Sequence, residues 1–376
     1  MLLRGGFIGF GRMGITHFSI LNTHPSVQIT AICDSSNTML KILQKYVNIG
    51  IYSNYEEMIE KESLDFVVIS TPSDSHAEIV KFALANNLHT FVEKPFALKP
   101  AEGQEILKRL AAKNLVNQVG YVNRFNEVFT EVKQLLQNGT IGEVKSFSSE
   151  MYGPTVLKDS KTGWRGRQNT GGGCMLEYGS HCIDLVIYLL GQPDRVVGSV
   201  MQSIYSSSVE DLVISNFIYE DGYSGSITVN WSDETFRTPT NIVKIFGTKG
   251  KIIADKHAYK LFLKHEDKTN GFRRGWNTRY ITDFAKSVRF YVRGNEFTRE
   301  LDYFVDCIQM KETENISSFA EAHKTDVVME QILRDAHQGK NEADKSPETV
   351  PILANYPMQS SLWRRLFGCF VRGPNA

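Results

Sequence analysis

Four polar side chains interrupt an otherwise apolar run between Cys174 and Leu190: Glu177, His181, Asp184 and Tyr188. Spacings of three and four residues return to one side of a helix, so at about 100° per residue all four fall within an arc of roughly 60°. Leu185, Val186, Leu189 and Leu190 fill much of the remaining circumference, and a helix that is apolar nearly all round is a buried one. Ionisable groups on it need partners or a ligand, because stranded charge is costly in a low-dielectric interior. An imidazole flanked by two carboxylates is equipment for general acid–base chemistry, since its ordinary pKa lies near working pH. The competing expectation is a solvated stripe on an ordinary amphipathic helix.

The elements that must position this helix divide the chain in two. At 376 residues it exceeds the length at which one core stops growing. Up to about residue 122, continuous apolar runs (Phe7-Ile8, Val27 to Cys33, Phe66 to Ile69, His89 to Val92, Val116 to Val119) alternate with helical patterns. Continuous rather than alternating strands are those of a parallel sheet covered on both faces, so residues 1–122 read as a doubly wound α/β domain. Residues 123–337 read as an α+β domain. In it, runs at 212–219, 223–231, 242–246 and 252–254, with turn signals between them, make a large, open, mostly antiparallel sheet. Its uncovered face needs water or a partner subunit, and a homodimer or homotetramer through that face is expected. Helical patterns resume at Phe297 to Met310 and Phe319 to Ala336. Residues 338–376 read as a tail or arm, whose aromatic, basic stretch Leu362 to Arg372 is a packing arm or a docking peptide.

The first domain carries a dinucleotide fingerprint, Gly9-Phe10-Gly11-Arg12-Met13-Gly14. The first Gly makes the tight turn and the second lets backbone approach a pyrophosphate. The third lets helix pack on strand, and the helix N-terminus supplies N–H groups. It follows an apolar strand, opens a helix, and is followed by Asp34 at the end of the next strand. A carboxylate there accepts from ribose hydroxyls and repels a 2′-phosphate, and Ser35 adds no positive charge, so NAD is favoured. Arg12 keeps NADP open. Thr71-Pro72-Ser73 falls where the next strand ends, with Ser73 as N-cap of the helix carrying His76. Thr71, Pro72 and His76 are cofactor contacts or simply a capped turn.

Composition excludes several classes. Lys plus Arg (42) equals Asp plus Glu (42), leaving no electrostatic footprint for nucleic acid. No stretch approaches 18 consecutive apolar residues, so no transmembrane segment is expected. Five scattered cysteines without a CxxC pair fit reduced thiols in the cytoplasm and no metal site.

Taken together, these residues resemble the glucose–fructose oxidoreductase / inositol dehydrogenase / rhizopine-catabolism (Gfo/Idh/MocA) family over roughly residues 1–336. The shared elements are the fingerprint, Thr71-Pro72 with His76, Glu93-Lys94-Pro95, Gly120-Tyr121-x-x-Arg124-Phe125, Trp164-Arg165, and Gly171-Gly172-Gly173-x-x-x-Glu177-x-x-x-His181-x-x-Asp184. The resemblance implies a Rossmann domain and NAD(P)-dependent oxidation of a secondary alcohol on a sugar or cyclitol, or the reverse. It implies a catalytic pair of Lys94 and His181, Glu93 at the nicotinamide ribose, and Trp164 and Arg165 at the cofactor. Lys94, Arg124, Tyr152, Glu177, His181 and Asp184 are expected at the sugar-like substrate. Glu177 stands where the family often has Asp, and either it or Asp184 would orient His181 or grip substrate hydroxyls. A non-catalytic NAD-binding regulator or scaffold and an NAD-dependent glycosidase are the rival readings.

Overall fold

The computed structural model describes residues 2–158, 164–167 and 171–344. Six short strands, β1 (Leu3–Ile8), β2 (Val27–Cys33), β3 (Gly50–Tyr52), β4 (Phe66–Ile69), β5 (His89–Val92) and β6 (Asn117–Val119), form an all-parallel sheet in the order β3-β2-β1-β4-β5-β6. Helices α1 (Arg12–Leu21), α2 (Asn37–Tyr46), α3 (Tyr55–Lys61), α4 (His76–Ala85) and α5 (Pro100–Leu110) cross between the strands. That order reverses between β1 and β4, the crevice where doubly wound sheets hold ligands. The adjacent glycines of β1, unfavourable in a strand interior, answer to packing. A side chain on Gly5 would run into the Phe66 ring, and one on Gly6 would come within 2.8 Å of Leu64.

After α6 (Glu127–Gln137), β7 (Val144–Tyr152) and α7 (Ser180–Leu190) come β8 (Arg195–Gln202), β9 (Leu212–Ile218), β10 (Ser224–Asn230), β11 (Thr240–Gly247), β12 (Gly250–Asp255), β13 (Ala258–Leu263) and β14 (Gly275–Tyr280). They build an eight-stranded sheet, ordered β14-β13-β12-β11-β7-β10-β9-β8. Every pairing is antiparallel except that of β7 with β10. Residues alternate across it: Phe147, Ser149 and Met151 of β7 are buried under α6 and α7, while their neighbours face the other side.

Two helices depart from the division at residue 122. The helix α8 (Asn295–Met310) returns to the first sheet, where Phe304 meets Phe66 and Phe91 edge to face. The helix α9 (Phe319–Asp344) spans both units: Phe319 and Ala322 pack with Phe96, and Val328, Met329 and Ile332 with the second sheet. It also runs past the helical pattern expected to end at Ala336, through Gly339 to Asp344. The stretch Leu362 to Arg372 lies outside the described residues. Among the described residues no helix is long and apolar enough to cross a membrane.

Candidate active site

The dinucleotide fingerprint turns sharply after β1. Gly9 adopts φ +87°, and a Cβ there would sit 2.8 Å from the Ser70 and Thr71 backbone. A Cβ on Gly14 would strike the Gly9 carbonyl oxygen, whereas one on Gly11 would meet nothing within 4 Å. The first and third glycines are thus required by the protein's own packing, and the second leaves open space at the N-terminus of α1, which no side chain caps. That open cradle of N–H groups fits a pyrophosphate. Asp34 Oδ2 accepts from the Phe10 N–H (2.7 Å) and Oδ1 from the Ser36 N–H (2.7 Å). Each carboxylate oxygen keeps a lone pair for a ribose hydroxyl, with exposed Ser35 alongside. The Phe10 ring belongs to the core, stacked edgewise on Phe7 and Phe18. Arg12 is exposed and Met13 half-buried at the same turn.

Thr71 and Pro72 end β4 as expected, but Ser73 is no N-cap. It opens a 3-10 turn, Ser73–Ser75, and Ser75 Oγ bonds Thr71 Oγ1 (2.7 Å) and the Pro72 carbonyl (2.8 Å). His76, expected as a cofactor contact or part of a capped turn, ties two backbone segments together. It is buried, with Nε2 3.0 Å from the Thr71 carbonyl and Nδ1 2.9 Å from the Pro95 carbonyl. Burial holds its pKa down, so a neutral ring donates to one of the two.

Lys94 leaves the end of β5 just before a cis bond to Pro95. Its Nζ donates to Glu177 Oε2 (3.1 Å) and to the Glu177 carbonyl (3.1 Å). Glu177 Oε1 takes Arg165 Nη2 at 3.2 Å. Burial pushes the Glu177 carboxyl up, but the Lys94 and Arg165 cations outweigh it and leave it at about 2. Trp164 begins the short turn that carries Arg165, and its side chain lies outside the described residues. Glu177 does not sit on a regular α-helix. Met175–Gly179 is a π-turn feeding α7, so the 100° arithmetic fails on its N-terminal side.

His181 occupies the first turn of α7, half-buried, its ring edge against Tyr121 (centroids 6.3 Å apart). Its Nδ1 is buried with no partner among the described residues. Burial and then the Lys94 cation depress its pKa to about 3, so the ring is neutral near pH 7. No hydrogen bond joins either carboxylate of the motif to it among the described residues. Asp184 is turned away: Arg124 Nε and Nη2 grip its Oδ1 at 3.0 and 2.7 Å, both side chains being almost wholly buried. Arg124 Nη1 also donates to the Ile316 carbonyl. Asp184 and Arg124, expected at the substrate, form a buried ion pair in which each meets the other's charge. Tyr152 is another residue expected at the substrate. It follows inward-facing Met151, points to the sheet face opposite α7, and stacks on Phe236. Tyr188 is buried beneath Lys133 Nζ, 3.9 Å from its ring centre.

Two residues of the site were silent in the sequence. Buried His17 on α1 reaches Glu93 Oε1 at 2.7 Å. Glu210 Oε1 accepts the Met175 N–H at 2.9 Å, anchoring the π-turn. The only signal for either is a polar residue beside an apolar element.

Residues 3–121 match the domain described as "Oxidoreductase family, NAD-binding Rossmann fold", and residues 129–253 match the "GFO/IDH/MocA C-terminal domain". An uncharacterized oxidoreductase of Schizosaccharomyces pombe is 29% identical over 215 residues, 55% of this chain, and the match spans only 58% of that relative's length. The myo-inositol 2-dehydrogenase of Thermotoga maritima is 24% identical over 84% of this chain and 91% of its own. In fold, levoglucosan dehydrogenase in complex with NADH superposes with a TM-score of 0.79 at 20% identity, covering 90% of this chain and 98% of the other. The two domain matches lie in sequence on the two sheets described above, and with them the chain belongs to the Gfo/Idh/MocA oxidoreductase family.

Proposed function

We propose that the protein is an NAD(P)-dependent oxidoreductase that transfers a hydride between nicotinamide and a secondary alcohol or ketone of a sugar, cyclitol or nucleotide sugar. The observation that carries this reading is the meeting of Lys94, from a strand end of the dinucleotide domain, with the Glu177–His181 segment of the second domain. When bound, the nicotinamide accepts or supplies the hydride. The Gly9–Gly14 turn would hold the pyrophosphate and Asp34 the adenosine ribose, a carboxylate that favours NAD over NADP.

The neutral His181 imidazole takes the proton of the substrate hydroxyl as the alcohol is oxidised. Burial and the nearby Lys94 disfavour the imidazolium so formed, which returns the proton to solvent and resets the base. The Lys94 ammonium donates to the same substrate oxygen and stabilises the charge that develops there. Ionised Glu177 fixes the direction of that ammonium, and Arg165 braces Glu177 from the solvent side. In the reducing direction the proton runs the other way, from imidazolium to carbonyl oxygen.

The test is a panel of sugars, cyclitols and nucleotide sugars followed at the NADH absorbance. At least one should reduce NAD⁺, and a protein that binds NADH yet oxidises none of them would remove the proposal. We extend it to the open face of the second sheet, where Trp276 (56% exposed) packs on Phe262 and Phe246 (45%) stands in the same cross-strand row, beyond Lys251. A second copy seated there makes a homodimer or homotetramer. Sedimentation should show Phe246→Glu shifting the protein toward monomer, and a monomeric wild type removes this extension.

A further inference from the structure

We infer that His17 is a positioning residue that couples the dinucleotide-binding helix to the catalytic strand end: its imidazole holds Glu93, and Glu93 holds the backbone of Lys94. The word catalytic rests on the dehydrogenase reading; the coupling itself does not.

His17 sits on α1, three residues after the last glycine of the fingerprint, and is 0% exposed. Its Nε2 lies 2.7 Å from Glu93 Oε1, and its ring edge packs on Phe91 with centroids 5.1 Å apart. Glu93 Oε2 in turn accepts the Lys94 N–H at 3.2 Å. From the far side Gly120 confines the same carboxylate, since a Cβ there would approach it to 3.2 Å. His17 Nδ1 is buried and unpartnered among the described residues. A ring that donates from Nε2 leaves only a lone pair at Nδ1, cheaper than an orphaned N–H.

The carboxylate is the reason the imidazole matters. Burial pushes the Glu93 pKa up, yet its interaction with His17, with the Lys94 cation behind it, outweighs that and keeps the group ionised. An anion this poorly exposed (Glu93 side chain 12%) that loses a donor either moves or takes up a proton. Either response disturbs the Lys94 backbone. The sheet order sets which part of the dinucleotide would notice. Asp34 marks the adenosine side beyond β2, α1 receives the pyrophosphate, and Glu93, just past the end of β5, lies across the switch point on the nicotinamide side. His17 is thus the one link in this chain of bonds that belongs to the helix and touches the nicotinamide half.

Fluorescence and calorimetric titrations of the full-length protein with NADH and with ADP-ribose test this. His17→Ala should raise the NADH dissociation constant about tenfold, the scale of a lost bond to a charged group, while ADP-ribose, lacking the nicotinamide, changes less than about twofold. His17→Gln keeps an N–H at similar reach and should recover most of the NADH loss. Equal weakening of both ligands, in step with a fall in Tm shared by the two variants, would mean packing alone and overturns the inference, as would NADH binding unchanged in His17→Ala. A wild type that binds NADH and turns over no polyol sinks the dehydrogenase reading, and the NADH against ADP-ribose split still judges His17.

Discussion

Lys94 Nζ lies 3.1 Å from Oε2 and 3.1 Å from the main-chain oxygen of Glu177, so one residue of the second domain holds an amine of the first with both its side chain and its backbone. Glu177 lies within the π-turn over Met175–Gly179, which interrupts the regular i to i+4 pattern at the head of α7. The direction of the amine is therefore fixed by the segment that also delivers His181.

Replacing Lys94 by Met removes the ammonium and keeps the length of the side chain. We expect kcat to fall roughly 10²-fold or more, the usual scale for a proton-transfer or charge-stabilising group, with NADH affinity within a few-fold of wild type. Glu177→Gln keeps the hydrogen bond and loses the charge, so its smaller loss should appear as a raised KM beside a modest fall in kcat. Steady-state kinetics with a fluorescence titration of NADH check both. Wild-type kcat in Lys94→Met would end the assignment of the amine.

Acid stability should report the buried imidazole. His181 titrates at about 3 when folded against 6.5 ordinarily, and Glu177 at about 2 against 4.5. Between pH 6.5 and 3 the unfolded chain binds a proton at His181 that the folded chain refuses, so stability declines as pH falls through that window. Glu177 adds its own loss only below pH 4.5, for the same reason with a carboxylate. Urea unfolding at pH 7.5, 5.5 and 4.5 should therefore show a steeper decline for wild type than for His181→Asn. Parallel declines would mean that the imidazole is solvated.

Much of this was legible before any coordinates. The strands of the first sheet other than the half-buried edge strand β3 are largely sealed on both faces, so their apolar runs stand out, and the fingerprint glycines announce themselves because no other residue fits where Gly9 and Gly14 sit. The edge strands β8 and β14 are largely half-exposed and carry little pattern. The alternation of Tyr259, Leu261 and Leu263 in β13 was there to be read. Helix spacing placed Glu177 and Asp184 on one face with His181, yet one pairs with Lys94 and the other with Arg124. A π-turn is invisible to a count of 3.6, and a partner far away in sequence is invisible to any local count. The return of α8 to the first sheet is hidden for the same reason, since its apolar stripe shows that it is buried and not against what.

The pair Arg124–Asp184 gives the sharpest test of where the site ends. Both side chains are almost wholly buried, with Nη2 to Oδ1 at 2.7 Å, and Thr325, the Ile316 carbonyl and Glu321 Oε2 (3.7 Å from Arg124 Nη1) surround the pair. Removing one partner strands a charge in the interior, so Asp184→Ala or Arg124→Ala should each destabilise the fold by about 3–5 kcal/mol. Replacing both by apolar groups of similar volume, Arg124→Met with Asp184→Leu, removes the stranded charge and should restore most of that stability. If the pair only supports the helix that carries His181, the double variant should also regain most of its kcat and KM. Urea unfolding and steady-state kinetics on the three variants decide. A double variant as stable as wild type with a substrate KM still raised by an order of magnitude would return Asp184 to the substrate.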